Sequence, residues 1–207
     1  MDSDRSFKAL AIIYLLALVF LFDVNVVEIG IQCYALEEEQ CTSDLSPFLP
    51  LPYSDTSQMA CKNIWNSFFI RYSQTDDNTV TIILSTIYTT GWVGIGFSKD
   101  GMMLNSSCMV GWVSMQGGHA RIKQYHIEGF TPSEIIPDQG EIPLTNVPPF
   151  VVLNRATLYL AFQLKYPYRL KEQSILLAFG SKHPHPKHHL LTLHDDKTSI
   201  KFDFSSG

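Results

Sequence analysis

Apolar and polar residues alternate at every second position along much of this chain. Leu158, Leu160, Phe162 and Leu164 alternate with Tyr159, Ala161, Gln163 and Lys165, and Ile200, Phe202 and Phe204 with Lys201 and Asp203. A period of two predicts strands, here each with one buried face. Similar runs occur at 65–72 (WNSFFIRY), 79–86 (TVTIILST), 91–98 (GWVGIGFS), 108–115 (CMVGWVSM), 120–127 (ARIKQYHI) and 175–180 (ILLAFG), so eight strands are predicted. Turn clusters separate them, among them Asp76-Asp77-Asn78, Gln116-Gly117-Gly118 and Val147-Pro148-Pro149. No stretch of period 3.6 and useful length follows residue 36. The pattern therefore predicts an all-β protein, an immunoglobulin-like antiparallel β-sandwich, and no helical bundle.

The N-terminus follows a different rule. Ala9 to Phe22 form fourteen uncharged, mostly apolar positions behind Arg5 and Lys8. That is the length of a secretory h-region and short of the roughly 20 residues a membrane span needs. Residues 1–35 are read as a signal peptide, with Ala35 and Cys33 supplying a small-x-small pattern for cleavage. If the segment is not cleaved, it is a membrane anchor. Residues 36–60 are then an N-terminal loop and 61–207 the sandwich domain.

Composition removes several function classes. Hydrophobic residues make up 45% and charged residues 17%, which is ordinary for a globular chain, and the formal net charge of -5 gives no reason to expect a nucleic-acid partner. The four cysteines, Cys33, Cys41, Cys61 and Cys108, form no CxxC or CxxCH, so zinc ribbons, thioredoxin chemistry and covalent haem attachment lack support. Cys41 and Cys61 bracket a Pro/Ser-rich stretch whose closure by a disulfide would remove roughly 3 kcal/mol of unfolded-chain entropy. Cys33 leaves with the signal, and Cys108, in a strand-like run, is expected to be a buried free thiol.

No GxSxG, GxGxxG or GxxxxGK[ST] is present, so hydrolysis and phosphate-loop chemistry are not indicated. Two features remain: the Gly/Met-rich run 91–112 (GWVGIGFSKDGMMLNSSCMVGW) and the histidine-rich run 181–194 (SKHPHPKHHLLTLH). Thioether and neutral imidazole are the axial pair of a low-spin, electron-transferring haem. Pro184 and Pro186 are expected to hold the His183, His185, His188 and His189 segment extended in solvent, where its imidazoles could alternatively capture copper or zinc. Leu190 to Leu193 is expected to be buried, with His194 closing the run.

These residues carry a resemblance. The run 91–113 is similar to the signature of DOMON domains, especially those of plant proteins in which a secreted DOMON module precedes a cytochrome b561 membrane core. Residues 65–74, 121–132, 158–164 and 193–207 resemble further blocks of that family in the same order, so the likeness extends from about Cys41 to Gly207. It implies a β-sandwich holding non-covalent haem b between Met103, in the loop after the GFS strand, and His194, before the final strand. It also supports a Cys41–Cys61 disulfide. Two positions depart from the family pattern: Asn105 stands where Gly is common, creating an Asn105-Ser106-Ser107 glycosylation sequon, and Asp195 follows the histidine where Arg is frequent. In fused relatives six membrane helices follow the DOMON block, whereas this sequence ends where they would begin.

The expected function is that of a secreted or cell-surface electron carrier rather than an enzyme. It would exchange single electrons between small extracellular reductants such as ascorbate and a membrane or wall partner, a cytochrome b561 being one. The alternative is a non-redox extracellular module that binds a sugar or phenolic ligand at an aromatic-lined end of the sandwich.

Overall fold

A computed structural model describes residues 40–115 and 117–205; the expected signal peptide and Cys33 lie outside them. The chain divides into two units, 1–43 and 44–207. Of the first, residues 40–42 form one helical turn, and Ser43 Oγ donates to the Gln40 carbonyl at 3.3 Å. The second unit holds every strand among the described residues.

Eleven strands build it: β1 (Ala60–Trp65), β2 (Phe68–Gln74), β3 (Thr79–Ile87), β4 (Trp92–Ser98), β5 (Ser107–Val113), β6 (Ala120–Ile127), β7 (Ile135–Pro137), β8 (Phe150–Asn154), β9 (Thr157–Lys165), β10 (Glu172–Gly180) and β11 (Asp196–Asp203). They form two wholly antiparallel sheets, ordered β1-β2-β3-β9-β8 and β11-β10-β4-β5-β6-β7. The expected all-β sandwich is the observed fold. Among the described residues no helix is long and apolar enough to cross a membrane.

The core lies between the sheets and follows from the period of two. Ile70, Tyr72, Ile82, Leu84, Leu160 and Phe162 from the first sheet meet Val93, Ile95, Met109, Ile175, Leu177 and Phe202 from the second. Phe97 and Phe162 touch edge to face across the gap, their centroids 6.2 Å apart. At Gly111 the sheets come so close that a Cβ would lie 2.8 Å from Leu160 Cγ.

Three sequence expectations need correction. The run 65–72 is no single strand, because Asn66, at φ 46°, turns the chain between Trp65 and Phe68, which face each other as the last pair of a hairpin. The short strands β1, β7 and β8 were not foreseen: β1 exposes its middle residues and β7 has only three, so neither shows an alternating face. The Leu158 to Leu164 strand is buried on both faces. Tyr159 and Ala161 pack against Leu45, Leu49 and Tyr53 from the segment preceding β1, which covers the outside of the first sheet.

Candidate functional site

The outer face of the second sheet is also covered, and the cover encloses a cavity. On β4 the inward positions are Val93, Ile95 and Phe97, leaving Trp92, Gly94 and Gly96 to face outward. Strand register sets two cross-strand rows on that outer face. Lys197, Ala178, Gly94 and Val110 stand side by side in one row; Ser199, Leu176, Gly96, Cys108 and Tyr125 form the next. With glycines at the centre of both rows the sheet has a bare patch, and the cavity above it measures about 390 Å³. A Cβ on Gly94 would lie 3.2 Å from Val110 Cγ2, and one on Gly96 3.2 Å from Leu176 Cβ. Glycine within a strand commonly marks such a close approach.

Two loops wall the cavity. In the loop joining β4 to β5, Ser98 Oγ donates to the Met102 carbonyl at 2.8 Å and Asp100 accepts from the Met102 N–H at 2.9 Å. Ser106 Oγ then donates to the Met103 carbonyl at 2.6 Å. Asn105 sits at φ 56° and its N–H donates to the Ile127 carbonyl at 2.8 Å. Gly and Asn are the residues that adopt this left-handed backbone most readily. The Asn105 side chain is exposed, as a glycan acceptor must be.

Both methionines reach the cavity edge, but differently. Met103 is half-buried and packs on the cluster of Trp92, Cys108, Val110, Trp112, Tyr125, Ile127 and Leu191, whereas Met102 is 63% exposed at the rim.

The second wall is the loop joining β10 to β11, and His194 lines the cavity from it. The imidazole is half-buried, and its pKa lies below the usual histidine value, chiefly because burial disfavours the cation and next because of the nearby Lys197 charge. At neutral pH the ring is therefore the neutral form that can ligate a metal. The loop base is tied by Asp195: its backbone N–H donates to the Phe179 carbonyl at 2.8 Å and its carboxylate accepts from the Ser181 N–H at 2.7 Å. Asp195 is thus occupied with the backbone of its own loop.

The 183–189 histidines behave differently from the sequence expectation. The segment is not extended: Pro186 to His188 form a turn closed by the His189 N–H on the His185 carbonyl at 2.8 Å. Prolines fix φ at values that suit turns as well as extended chain, so they do not choose between them. The His185 and His188 rings stack 5.0 Å apart, His183 pairs with Thr90 at 3.0 Å, and His189 leans on Trp112. Among the described residues no three His, Cys, Asp or Glu side chains gather as a metal site. A second correction concerns Leu190 to Leu193. Leu191 is 3% exposed against the sheet, but Leu193 is 73% exposed, so the apolar run is not buried as a unit.

Cys41 and Cys61 are each disulfide-bonded, and Cys108 is the free cysteine among the described residues. Cys108 lies in the cavity floor with its thiol pKa pushed up to about 12 by burial. The residues that sequence reading missed are those of the floor and margins, Gly94, Gly96, Ala178, Leu176, Phe130 and Lys197. The one available signal was the pair of glycines at alternate positions of a strand.

Comparison with known proteins agrees with this architecture. A DOMON domain is matched over residues 66–166. The Arabidopsis thaliana cytochrome b561 and DOMON domain-containing protein At3g61750 is 50% identical over 188 residues, covering 89% of this chain and 45% of that protein. A second such Arabidopsis protein, At3g07570, is 37% identical over 144 residues, covering 69% of this chain and 38% of its own length. The chain thus spans less than half the length of both relatives. Among solved structures, the cytochrome b domain of Coprinopsis cinerea pyranose dehydrogenase superposes with a TM-score of 0.50 at 16% identity, over 72% of this chain and 83% of that one. The cytochrome domain of Myriococcum thermophilum cellobiose dehydrogenase gives 0.51 at 15% identity, over 72% and 82%. With two antiparallel sheets of this order and a family match running from the turn before β2 to the end of β9, the chain is a DOMON-domain protein.

Proposed function

We propose that the chain is a b-type haem-binding electron-transfer module, with Met103 and His194 as the axial ligands. The observation that carries this reading is that these two side chains, far apart in sequence, line one cavity whose floor is stripped of side chains at Gly94 and Gly96. The residues fit the group. A thioether and a neutral imidazole are a recognised axial pair, the bare floor admits a flat ring, and Val110, Leu176, Ala178 and Leu191 supply the apolar surroundings a porphyrin needs. Bound haem would supply reversible one-electron chemistry at iron.

The protein's own part is to hold both ligands before iron arrives and to keep water away from it. Ser98, Asp100 and Ser106 fix the Met103 loop, Asp195 ties the His194 loop, and burial keeps the imidazole unprotonated. The few polar side chains in the lining disfavour the alternative of a sugar ligand, which requires many directed hydrogen bonds. The names of the relatives support a redox partnership with a membrane cytochrome b561. Ascorbate as the small reductant and an extracellular location, reached through the 1–35 signal segment, complete the proposal.

An absorbance scan of purified, haem-reconstituted chain tests it. An intense Soret band with the narrow visible bands of a low-spin ferrous haem is expected, lost in His194→Ala and kept in His188→Ala and His189→Ala. Absence of any bound Soret band would sink the proposal.

A further inference from the structure

Resting on the haem reading above, we infer that Lys197 is the anchor for the carboxylate edge of the bound porphyrin and so fixes which edge of the ring lies against β11. Haem b is an asymmetric ring: one margin carries two carboxylates and the rest is apolar. The cavity is asymmetric in the same sense. Among the described residues that line it, Lys197 is the one formally charged side chain at neutral pH. It stands on β11, the edge strand, directly across from Ala178 and in the row that continues through Gly94. The opposite margin is built by Ile127, Phe130 and Ile135, from β6, β7 and their connection, and offers carboxylates no cation.

The ammonium is also uncommitted. The other lysines of this sheet that face carboxylates are matched, Lys123 with Asp138 at 2.6 Å and Lys201 with Glu172 at 3.5 Å. Among the described residues Lys197 has no carboxylate at ion-pair distance, although its backbone N–H bonds Asp196. Ser199, its neighbour on the same face, spends its hydroxyl proton on the Gly101 carbonyl at 2.9 Å and leaves the cation as the donor there. A porphyrin seated above the Gly94–Gly96 floor with its carboxylates towards Lys197 pairs charge with charge and places apolar edge against apolar wall. The reverse orientation strands two carboxylates beside Phe130 and Ile135.

The test compares haem b with its dimethyl ester, which has the same ring and iron but no carboxylate charge. The full chain is titrated with each and followed by the Soret band. The wild type should bind the diacid about tenfold more tightly than the ester, equivalent to ~1.4 kcal/mol. In Lys197→Gln, exposed on an edge strand and unable to ligate iron, that ratio should fall to near one; in Lys197→Arg it should return. A wild-type ratio of one, or an undiminished ratio in Lys197→Gln, overturns the assignment while haem binding itself stands. If neither compound gives a bound Soret band in the wild type, the haem reading fails and the assignment falls with it.

Discussion

The carboxylate of Asp195 accepts a 2.7 Å hydrogen bond from the backbone N–H of Ser181, joining the two ends of the loop on which His194 is carried. Asp195 is thus a brace on the loop itself. That bond also holds the Asp195 carboxyl below its usual pKa, so the brace is charged at neutral pH. Asp195→Ala should lower haem affinity roughly tenfold, the lower end of what loss of a ligand-orienting partner costs. Competition with a haem-capturing apoprotein measures it, and an unchanged off-rate would show that the brace does not govern His194.

Met102 and Met103 are separable by the same spectroscopy. Met103→Leu should shift the reconstituted protein towards high spin and lower its reduction potential, because thioether ligation raises the potential. Met102→Leu, a swap at an exposed rim position, should leave both as they are and cost less than about 1.5 kcal/mol. The opposite assignment of effects would move the ligand by one residue.

Two glycines on the same sheet should fail in different ways. Gly111→Ala forces a methyl into Leu160 between the sheets and should cost roughly 1–3 kcal/mol of unfolding free energy, read from urea denaturation, because overpacking a well-filled core strains it. Gly96→Val, on the outer face, should instead fill the cavity floor. Its signature is loss of Soret absorbance upon haem addition in a variant that still unfolds cooperatively in urea.

The pH dependence follows from His194. Its folded pKa lies below the ordinary 6.5, so the unfolded chain takes up the proton first as pH falls. The contribution of the neutral ring is complete above about pH 7 and is lost as pH drops through the folded value. His189 is shifted in the same direction by its burial, so the slope has two sources. Thermal midpoints of the apo chain from pH 7.5 to 5 should therefore fall less steeply in His194→Gln than in the wild type. Equal slopes would show that His194 titrates normally.

The cysteines make a separate prediction. Peptide mapping without reduction should recover Cys41 linked to Cys61, and Cys108 should resist alkylation until denaturant is added, its thiol being buried and almost wholly protonated at neutral pH. A Cys61–Cys108 peptide would contradict both statements.

The sequence by itself determined the fold class and most of the strands, because a period of two needs only local alternation to be visible. Through the run around Met103 and the block around His194 it also pointed to two side chains that line one cavity. Three things required the tertiary structure. Short edge strands such as β1 and β7 carry no alternating face, since their pairing comes from a neighbour and not from their own pattern. Burial of Leu193 was misjudged because composition is local while facing is decided by what lies opposite. The cavity was invisible for the same reason: its floor is made where Ala178, Gly94 and Val110 come side by side from three strands, and cross-strand register is a long-range property. Lys197 reads in the sequence as one more polar residue of an edge strand; only that register places its charge at the margin of an otherwise apolar cavity.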